Sequence, residues 1–319
     1  MPDKHLIIGG AGFIGSHLTD TILRLTKASD ICVFDNMTAG DNQSLDALDS
    51  ARVELTIGDA SDPVALLRHI ESVRPNKVWH LAANSDISKS AVSSELDVEA
   101  TFATTAGVCL AISRMSYALD SLTFSSTSAI FGSHPGQIHE SSRRNPESSY
   151  GWMKLASERL ILSLHGTGAV DKVLVARFPN VTGLRQTHGV VKDLVAKYFN
   201  LDSPWVVLGD GYQEKPYIHA QCLSETLIRL EAELGVGKFL EINISPNSLI
   251  NVRRIAQEIE AHAGLGRIPV YGDTPHGWVG DITKYEFDTA ALRRMGHLVA
   301  SSKDAITRSV KEEVQKYLE

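Results

Sequence analysis

Gly9-Gly10-Ala11-Gly12-Phe13-Ile14-Gly15 follows directly on the apolar stretch HLII at residues 5–8 and precedes a helical pattern that runs to about Leu25. Few sequence features restrict a fold as much. Gly9 allows a tight turn, Gly12 lets the backbone come close to a pyrophosphate, and Gly15 allows close helix–strand packing. The free N–H groups of the helix's first turn and the positive end of its dipole then face an anion. The spacing is G-x-x-G-x-x-G rather than G-x-G-x-x-G, and its place in the first strand–helix turn is what gives it weight.

The rest of the chain keeps the rhythm that this turn begins. Strands are expected at 31–35 (ICVFD), 52–57 (RVELTI), 77–83 (KVWHLAA), 121–127 (SLTFSST) and 173–178 (VLVARF). Helical patterns lie between them, starting at Pro63 and covering roughly 94–118 and 148–165. Such alternation predicts an α/β fold, a Rossmann-type doubly wound parallel sheet. The strands are short apolar runs without strict alternation, as expected when both faces are covered. After Asn180 the rhythm weakens, and Gly, Pro and aromatic residues gather in 200–221 and 264–281. We therefore expect a dinucleotide-binding domain over 1–180 and a smaller C-terminal substrate-binding region over 181–319, some of whose segments, such as 249–263, return to the main sheet.

Asp35 ends the second strand. A carboxylate there accepts hydrogen bonds from both hydroxyls of an adenosine ribose and repels a 2′-phosphate. Asn36-Met37-Thr38 follow, with no Arg to receive that phosphate, so NAD is expected rather than NADP. Asp59, after the third strand, is placed to contact the adenine edge.

A redox site is read from two further segments. Tyr150 and Lys154 are four apart in an expected helix and so share one face. A free tyrosine titrates near 10, too high for a good base at neutral pH. A neighbouring ammonium and a positive nicotinamide ring favour the phenolate and are expected to lower that value. Phe124-Ser125-Ser126-Thr127-Ser128-Ala129-Ile130-Phe131-Gly132 lies where a central strand ends, on the rim where such sheets bind ligands. A hydroxyl there can bond a substrate oxygen and pass a proton to Tyr150.

Composition closes off other functions. The formal net charge of −7 speaks against a nucleic-acid surface. Cys32, Cys109 and Cys222 are distant from one another and show neither a disulfide framework nor metal-ligand spacing, so free buried thiols and no metal are expected. MPDKHLIIGG does not read as a signal peptide, and no apolar stretch approaches the ~20 residues of a membrane span. A cytoplasmic location without membrane association is the expectation.

Taken in order, GGAGFIG (9–15), FDN (34–36), GD (58–59), HLAA (80–83), FSSTSAIFG (124–132), SYGWMK (149–154), RFPNVTG (177–183), LGDGYQEKPYIH (208–219) and GD (280–281) resemble the extended short-chain dehydrogenase/reductase family, in particular its NAD-dependent epimerase/dehydratase group acting on nucleotide sugars. The resemblance implies that Thr127 is the hydroxyl partner, Tyr150 the acid/base and Lys154 its tuner. It implies that NAD is held by Gly9, Gly12, Phe13, Ile14, Gly15, Asp35, Asn36, Thr38, Asp59, Ala60, Leu81, Ala82, Ala83, Tyr150 and Lys154, with Phe178 near the nicotinamide. Ser85, Thr127, Asn180 and Lys215 would contact the nucleotide sugar. It also implies a homodimer through two long helices per subunit, here about 94–118 and 149–165.

The departures from the family pattern narrow the chemistry. Members that remove water carry Asp-Glu after the hydroxyl residue, and the related decarboxylases carry Glu two positions after it. Ser128-Ala129 stand there instead. This leaves 4-epimerisation as the leading expectation, with net oxidation or reduction of a sugar carbon as the alternative; a dinucleotide-binding protein without turnover would have no need of the tyrosine hydroxyl. The usual Arg of the nucleotide grip appears as Lys215 before Pro216, the usual Asn of the long helix as Thr101, and His276-Gly277-Trp278-Val279 stand where an Arg often precedes the late Gly-Asp. Lysine keeps the charge but loses the bidentate fork for phosphate.

Overall fold

The computed structural model describes residues 3–26, 30–38, 51–84, 86, 93–277 and 281–319. Two compact units emerge. The first comprises Met1–Ile130, Pro146–Arg177 and Ser224–Ile242, the second Phe131–Asn145, Phe178–Leu223 and Asn243–Glu319.

The first unit is built on seven strands: β1 (Lys4–Ile8), β2 (Asp30–Asp35), β3 (Val53–Ile57), β4 (Lys77–His80), β5 (Leu119–Thr127), β6 (Val170–Phe178) and β7 (Phe239–Asn243). They line up as β7-β6-β5-β4-β1-β2-β3. The β1–β2, β1–β4, β2–β3 and β4–β5 pairs are parallel. Strand order reverses between β1 and β4, which makes their carboxyl ends the switch point where such sheets bind ligands. Ile8 is level with Phe34 on one side and with His80 on the other, so the three strands end together there. Leu6, Ile7 and Ile8 are fully buried, as both faces of the central strand are covered.

Among the described residues, the helices α1 (Phe13–Leu25), α2 (Pro63–Val73), α3 (Ser94–Ser113), α4 (Ser149–His165) and α5 (Ala220–Glu233) belong to this sheet. On α1 the buried positions Gly15, Leu18, Thr19 and Ile22 form one stripe. Asp62 caps α2 through Val64 N (2.9 Å) and Ala65 N (3.1 Å), with Pro63 at its first position. Ser148 caps α4 through Gly151 N at 3.1 Å.

α3 differs from expectation twice. It ends at Ser113 rather than near 118, and beyond it the backbone N–H and hydroxyl of Ser116 donate to Glu71 at 2.6 and 2.8 Å. It is also 20 residues long with a mean hydropathy of 1.3, long and apolar enough to cross a membrane, which the sequence reading did not anticipate. Half of it is buried inside the unit, where Val108, Ala111 and Ile112 join the core. That packing is the behaviour of a core helix. Residues Val98–Ala103 within it form a π-helical turn, a widening frequent near functional sites.

The second unit packs the helices Val190–Phe199, Val252–Ala263 and Ser302–Leu318 around Val195, Tyr198, Trp205, Ile255, Ile259, Ile306 and Val310. Short strand pairs complete it: Asn180–Thr182 with Tyr217–His219, Val206–Val207 with Val270–Tyr271, and Gln137–Ile138 with Glu286–Phe287. One crossing between the units lies at Arg177/Phe178. Residues 131–145 cross as well, because Gln137–Ile138 find their partner strand at 286–287. The helix at 252–263, expected to return to the main sheet, instead buries Val252, Ile255, Ala256 and Ile259 in the second unit's core. The segment that does return is 224–242.

Candidate active site

The glycine turn is wedged between two strand ends. Gly9 N donates to Phe34 O at 3.0 Å, while Leu81 N and Ala82 N donate to Ile8 O at 2.9 and 3.0 Å. Gly9 has φ +82°, and a methyl group on it would stand 2.6 Å from Ala82 N. A methyl on Gly15 would stand 2.2 Å from Gly9 O and 2.6 Å from Gly10 Cα. Gly12 is different: within the protein its methyl would meet only Gly9 O, at 3.4 Å. Intramolecular crowding therefore does not explain that glycine, whereas close approach of a pyrophosphate does. No side chain among the described residues caps α1 at Gly12, so the first-turn N–H groups of Phe13 and Ile14 remain for an outside acceptor. These residues fit a dinucleotide.

Asp35 at the end of β2 is buried. Its Oδ2 accepts from Ala11 N at 2.9 Å and its Oδ1 from Met37 N at 2.8 Å. The carboxylate thus ties the glycine turn to β2, a role the sequence reading missed, and still has lone pairs for a ribose. Asn36 Oδ1 accepts from Thr38 N (3.2 Å) and Thr38 Oγ1 (2.8 Å), folding the chain back after β2. Asp59 Oδ1 accepts from Ser61 N at 2.8 Å, and Gly107 of α3 packs against Ala60 O so closely that a methyl there would be 2.2 Å away. Ala82 and Ala83 follow β4 beside the turn, half-buried. Ser85 lies outside the described residues.

Thr127, the last residue of β5, accepts from Ala129 N at 3.1 Å through Oγ1 and hydrogen-bonds with Tyr150. The Tyr150 residue keeps partial exposure. Burial of its hydroxyl pushes its pKa up, the Thr127 bond opposes that, and Asp97 adds to the rise. The expected lowering by Lys154 is therefore corrected: within the protein alone the phenol is held neutral, because desolvation outweighs the neighbouring hydrogen bond. Lys154 is 2% exposed. Its Nζ donates to Ser125 O at 2.7 Å and lies 6.0 Å from the Tyr150 ring centre. Burial pulls its pKa down to about 7, against the pull of Glu158. The arrangement can relay a proton from an outside oxygen through Thr127 to Tyr150, with an amine of adjustable charge beneath.

The Lys154 shift has a consequence for stability. The unfolded side chain titrates near 10.4. Between about 7 and that value the unfolded chain holds a proton that the folded chain does not, so stability rises with pH across this window. Below it the full cost of burying the charge is present. In urea unfolding at a series of pH values, the midpoint of the native protein should climb from pH 7 to 9.5 relative to Lys154→Met. Parallel curves for the two proteins would refute the burial of a titrating amine.

Several residues at the site escaped the sequence reading. Asp97 is fully buried and accepts from Asn84 Nδ2 at 2.8 Å, while Asn84 N donates to Thr101 Oγ1 at 3.1 Å. His80 is also buried, shares a hydrogen bond with Thr105 Oγ1 at 3.0 Å, and burial helped by Lys154 pushes it down to about 3, so it stays neutral. Ser126, Glu158 and Arg177 form a buried cluster under Lys154. Only Glu158 had a visible signal, since Tyr150, Lys154 and Glu158 repeat at intervals of four.

Phe178, Asn180 and Lys215 lie in the second unit. Asn180 hydrogen-bonds with Tyr217, whose hydroxyl is pushed up by burial and by Tyr285 and Asp281, against that bond. Lys215 forms a short ion pair through Nζ with Asp281 Oδ1, and Asp281 Oδ2 accepts from Gly277 N at 3.0 Å. The ammonium expected to grip a phosphate is thus already matched by a carboxylate.

The model of the NAD dependent epimerase/dehydratase family matches residues 5–234, which include the glycine turn, Thr127, Tyr150 and Lys154. The chain belongs to this family. It is a family of NAD-dependent enzymes, and NAD is the cofactor that the cradle described above fits. Among relatives, UDP-glucuronic acid decarboxylase 1 of Arabidopsis thaliana is 28% identical over 291 residues, 88% of this chain. This chain spans 63% of the length of that relative. UDP-glucose 4-epimerase of Azospirillum brasilense is 27% identical over 284 residues, 81% of this chain and 77% of the relative. The crystal structure of UDP-glucuronic acid 4-epimerase from Bacillus cereus, in complex with UDP-glucuronic acid and NAD, superposes with a TM-score of 0.84 at 22% identity, covering 98% of this chain and all of the other. That likeness establishes the fold of this family member, a Rossmann-type sheet flanked by helices.

Proposed function

We propose that this chain is an NAD-dependent nucleotide-sugar 4-epimerase working through a transient 4-keto sugar. The observation that carries the reading is the site around Thr127, Tyr150 and Lys154 with no carboxylate side chain at 128 or 129. Removal of water across two carbons, or assisted loss of a carboxyl group, calls for an acid/base carboxylate at that rim. Asp97, the buried acid that acts on Tyr150, is fully enclosed and bonded to Asn84, so it does not reach a substrate.

NAD, when bound, supplies reversible hydride transfer. The chain's own residues do the rest. Thr127 bonds the 4-hydroxyl of the sugar and Tyr150 takes its proton. Lys154, when charged, stabilises the phenolate that forms. Tyr150 then returns the proton once the keto sugar has presented its other face. Asn180 and Lys215 contact the nucleotide; for Lys215 this requires sharing its charge with Asp281. The exposed Leu96, Val98 and Leu110 of α3 and Trp152 of α4 support association of two copies through these helices.

The test is incubation with UDP-, GDP-, dTDP- and CDP-sugars, with NAD supplied but no other reductant or oxidant. An isomer of unchanged mass is the expected product. A product lighter or heavier by two hydrogens would identify a dehydrogenase or ketoreductase, and no conversion of any panel member would refute the epimerase reading.

A further inference from the structure

Thr101 stands where the family usually carries Asn, and the proposed reaction gives it no task. Yet Asp97, Thr101 and Thr105, at intervals of four on α3, are all buried. Each has an oxygen bonded to the chain at or just beyond the end of β4. His80 and Thr105 Oγ1 are 3.0 Å apart. The single hydrogen of the Thr105 hydroxyl is donated to Thr101 O at 2.9 Å, so the N–H at His80 Nε2 donates to Thr105. Four residues further on, Asn84 N donates to Thr101 Oγ1 at 3.1 Å and Asn84 Nδ2 donates to Asp97 Oδ1 at 2.8 Å. A carboxylate only accepts, so Asp97 turns the Asn84 amide one way. Nδ2 faces Asp97, and Oδ1 accepts from Asp86 N at 3.0 Å.

The gripped positions, 80 and 84, bracket Leu81-Ala82-Ala83. That segment walls the glycine turn: Leu81 N and Ala82 N donate to Ile8 O, and Ala82 stands against Gly9. β4 ends at His80, so strand pairing no longer fixes the residues beyond it. We propose that Thr101 and Asp97 are positioning residues for the cofactor. With Thr105 they clamp the chain on both sides of 81–83 and hold this wall against the glycine turn before NAD arrives, so that binding does not have to order it. The inference goes beyond the epimerase reading and rests on the fit of the cradle to NAD alone.

The chemistry of the clamp accounts for the threonine. Its oxygen takes a backbone N–H that is buried and beyond the reach of the sheet. Without that oxygen the Asn84 N–H loses its acceptor, and the segment shifts to find another.

The test is calorimetric titration of the full chain with NAD, beside urea unfolding of each variant. Thr101→Val keeps the shape of the side chain and removes the acceptor, so the NAD dissociation constant should rise about tenfold. Thr101→Ser keeps the oxygen and should stay within about threefold of the native protein. Val108→Ala loosens α3 through the apolar core instead. Its urea midpoint should fall while its NAD affinity holds within about twofold. If Thr101→Val does not fold, Asn84→Ala opens the same clamp from the other side and should weaken NAD binding by a similar factor. Native NAD affinity in folded Thr101→Val or Asn84→Ala overturns the proposal. So does a loss in Thr101→Ser or Val108→Ala equal to that in Thr101→Val, because the hydroxyl would then not be what sets the wall. The readout is binding alone, so failure to convert any sugar of the panel would leave this result standing.

Discussion

Tyr150→Phe lowers turnover by a factor on the order of 10² to 10⁴ while NAD binding stays within about twofold. The substitution removes one oxygen. The ring remains in α4, and the glycine turn, the Asp35 bridge and the β4 end are untouched. What is lost is the group that hydrogen-bonds with Thr127 and, in the proposed reaction, takes the sugar proton. Thr127 alone cannot replace it, since an aliphatic hydroxyl is a far poorer proton acceptor than a phenolate. The paired measurement matters: turnover on the converted sugar beside calorimetric titration with NAD. Retention of full turnover in Tyr150→Phe would mean that the proton travels by another route. Loss of NAD binding together with turnover would mean that the tyrosine serves the cradle.

Gly15→Ala destabilises the protein by about 3 kcal/mol or more and abolishes NAD binding. The new methyl would stand 2.2 Å from Gly9 O and 2.6 Å from Gly10 Cα, and both are backbone atoms. A side chain could rotate away; this backbone cannot, because Gly9 is held by Phe34 O and pressed on Ala82. Relief requires α1 to move off β1, which opens the turn that faces the pyrophosphate. Gly12→Ala makes the contrast. Its methyl would meet Gly9 O at 3.4 Å, so its urea midpoint should stay near that of the native protein while NAD affinity drops sharply. Equal unfolding midpoints for Gly15→Ala and the native chain would show that the helix–strand contact is looser than described.

Much of the first unit was legible because it is local. A strand ending in glycines, a proline after Asp62 and hydrophobic runs of the right length each act within a few residues of themselves. The Tyr150–Lys154 pair belongs to the same class, since helix geometry alone brings the two together. The second unit was less legible. Its strands are mostly two or three residues long and pair across wide separations, as Gln137–Ile138 do with Glu286–Phe287, so no local pattern announces them.

The sequence by itself determined the glycine turn, the acid at the end of β2, and the hydroxyl, phenol and amine that follow in order along the sheet and its helix. Tertiary structure alone decided what those groups carry. Asp35 bonds Ala11 across 24 residues, Arg177 clamps Glu158 across 19, and Asp281 matches Lys215 across 66. Burial turned the expectation for Tyr150 from a lowered pKa to a raised one and pulled Lys154 down to about 7. Charge and proton affinity depend on everything packed around a group, and packing joins residues that the chain keeps apart.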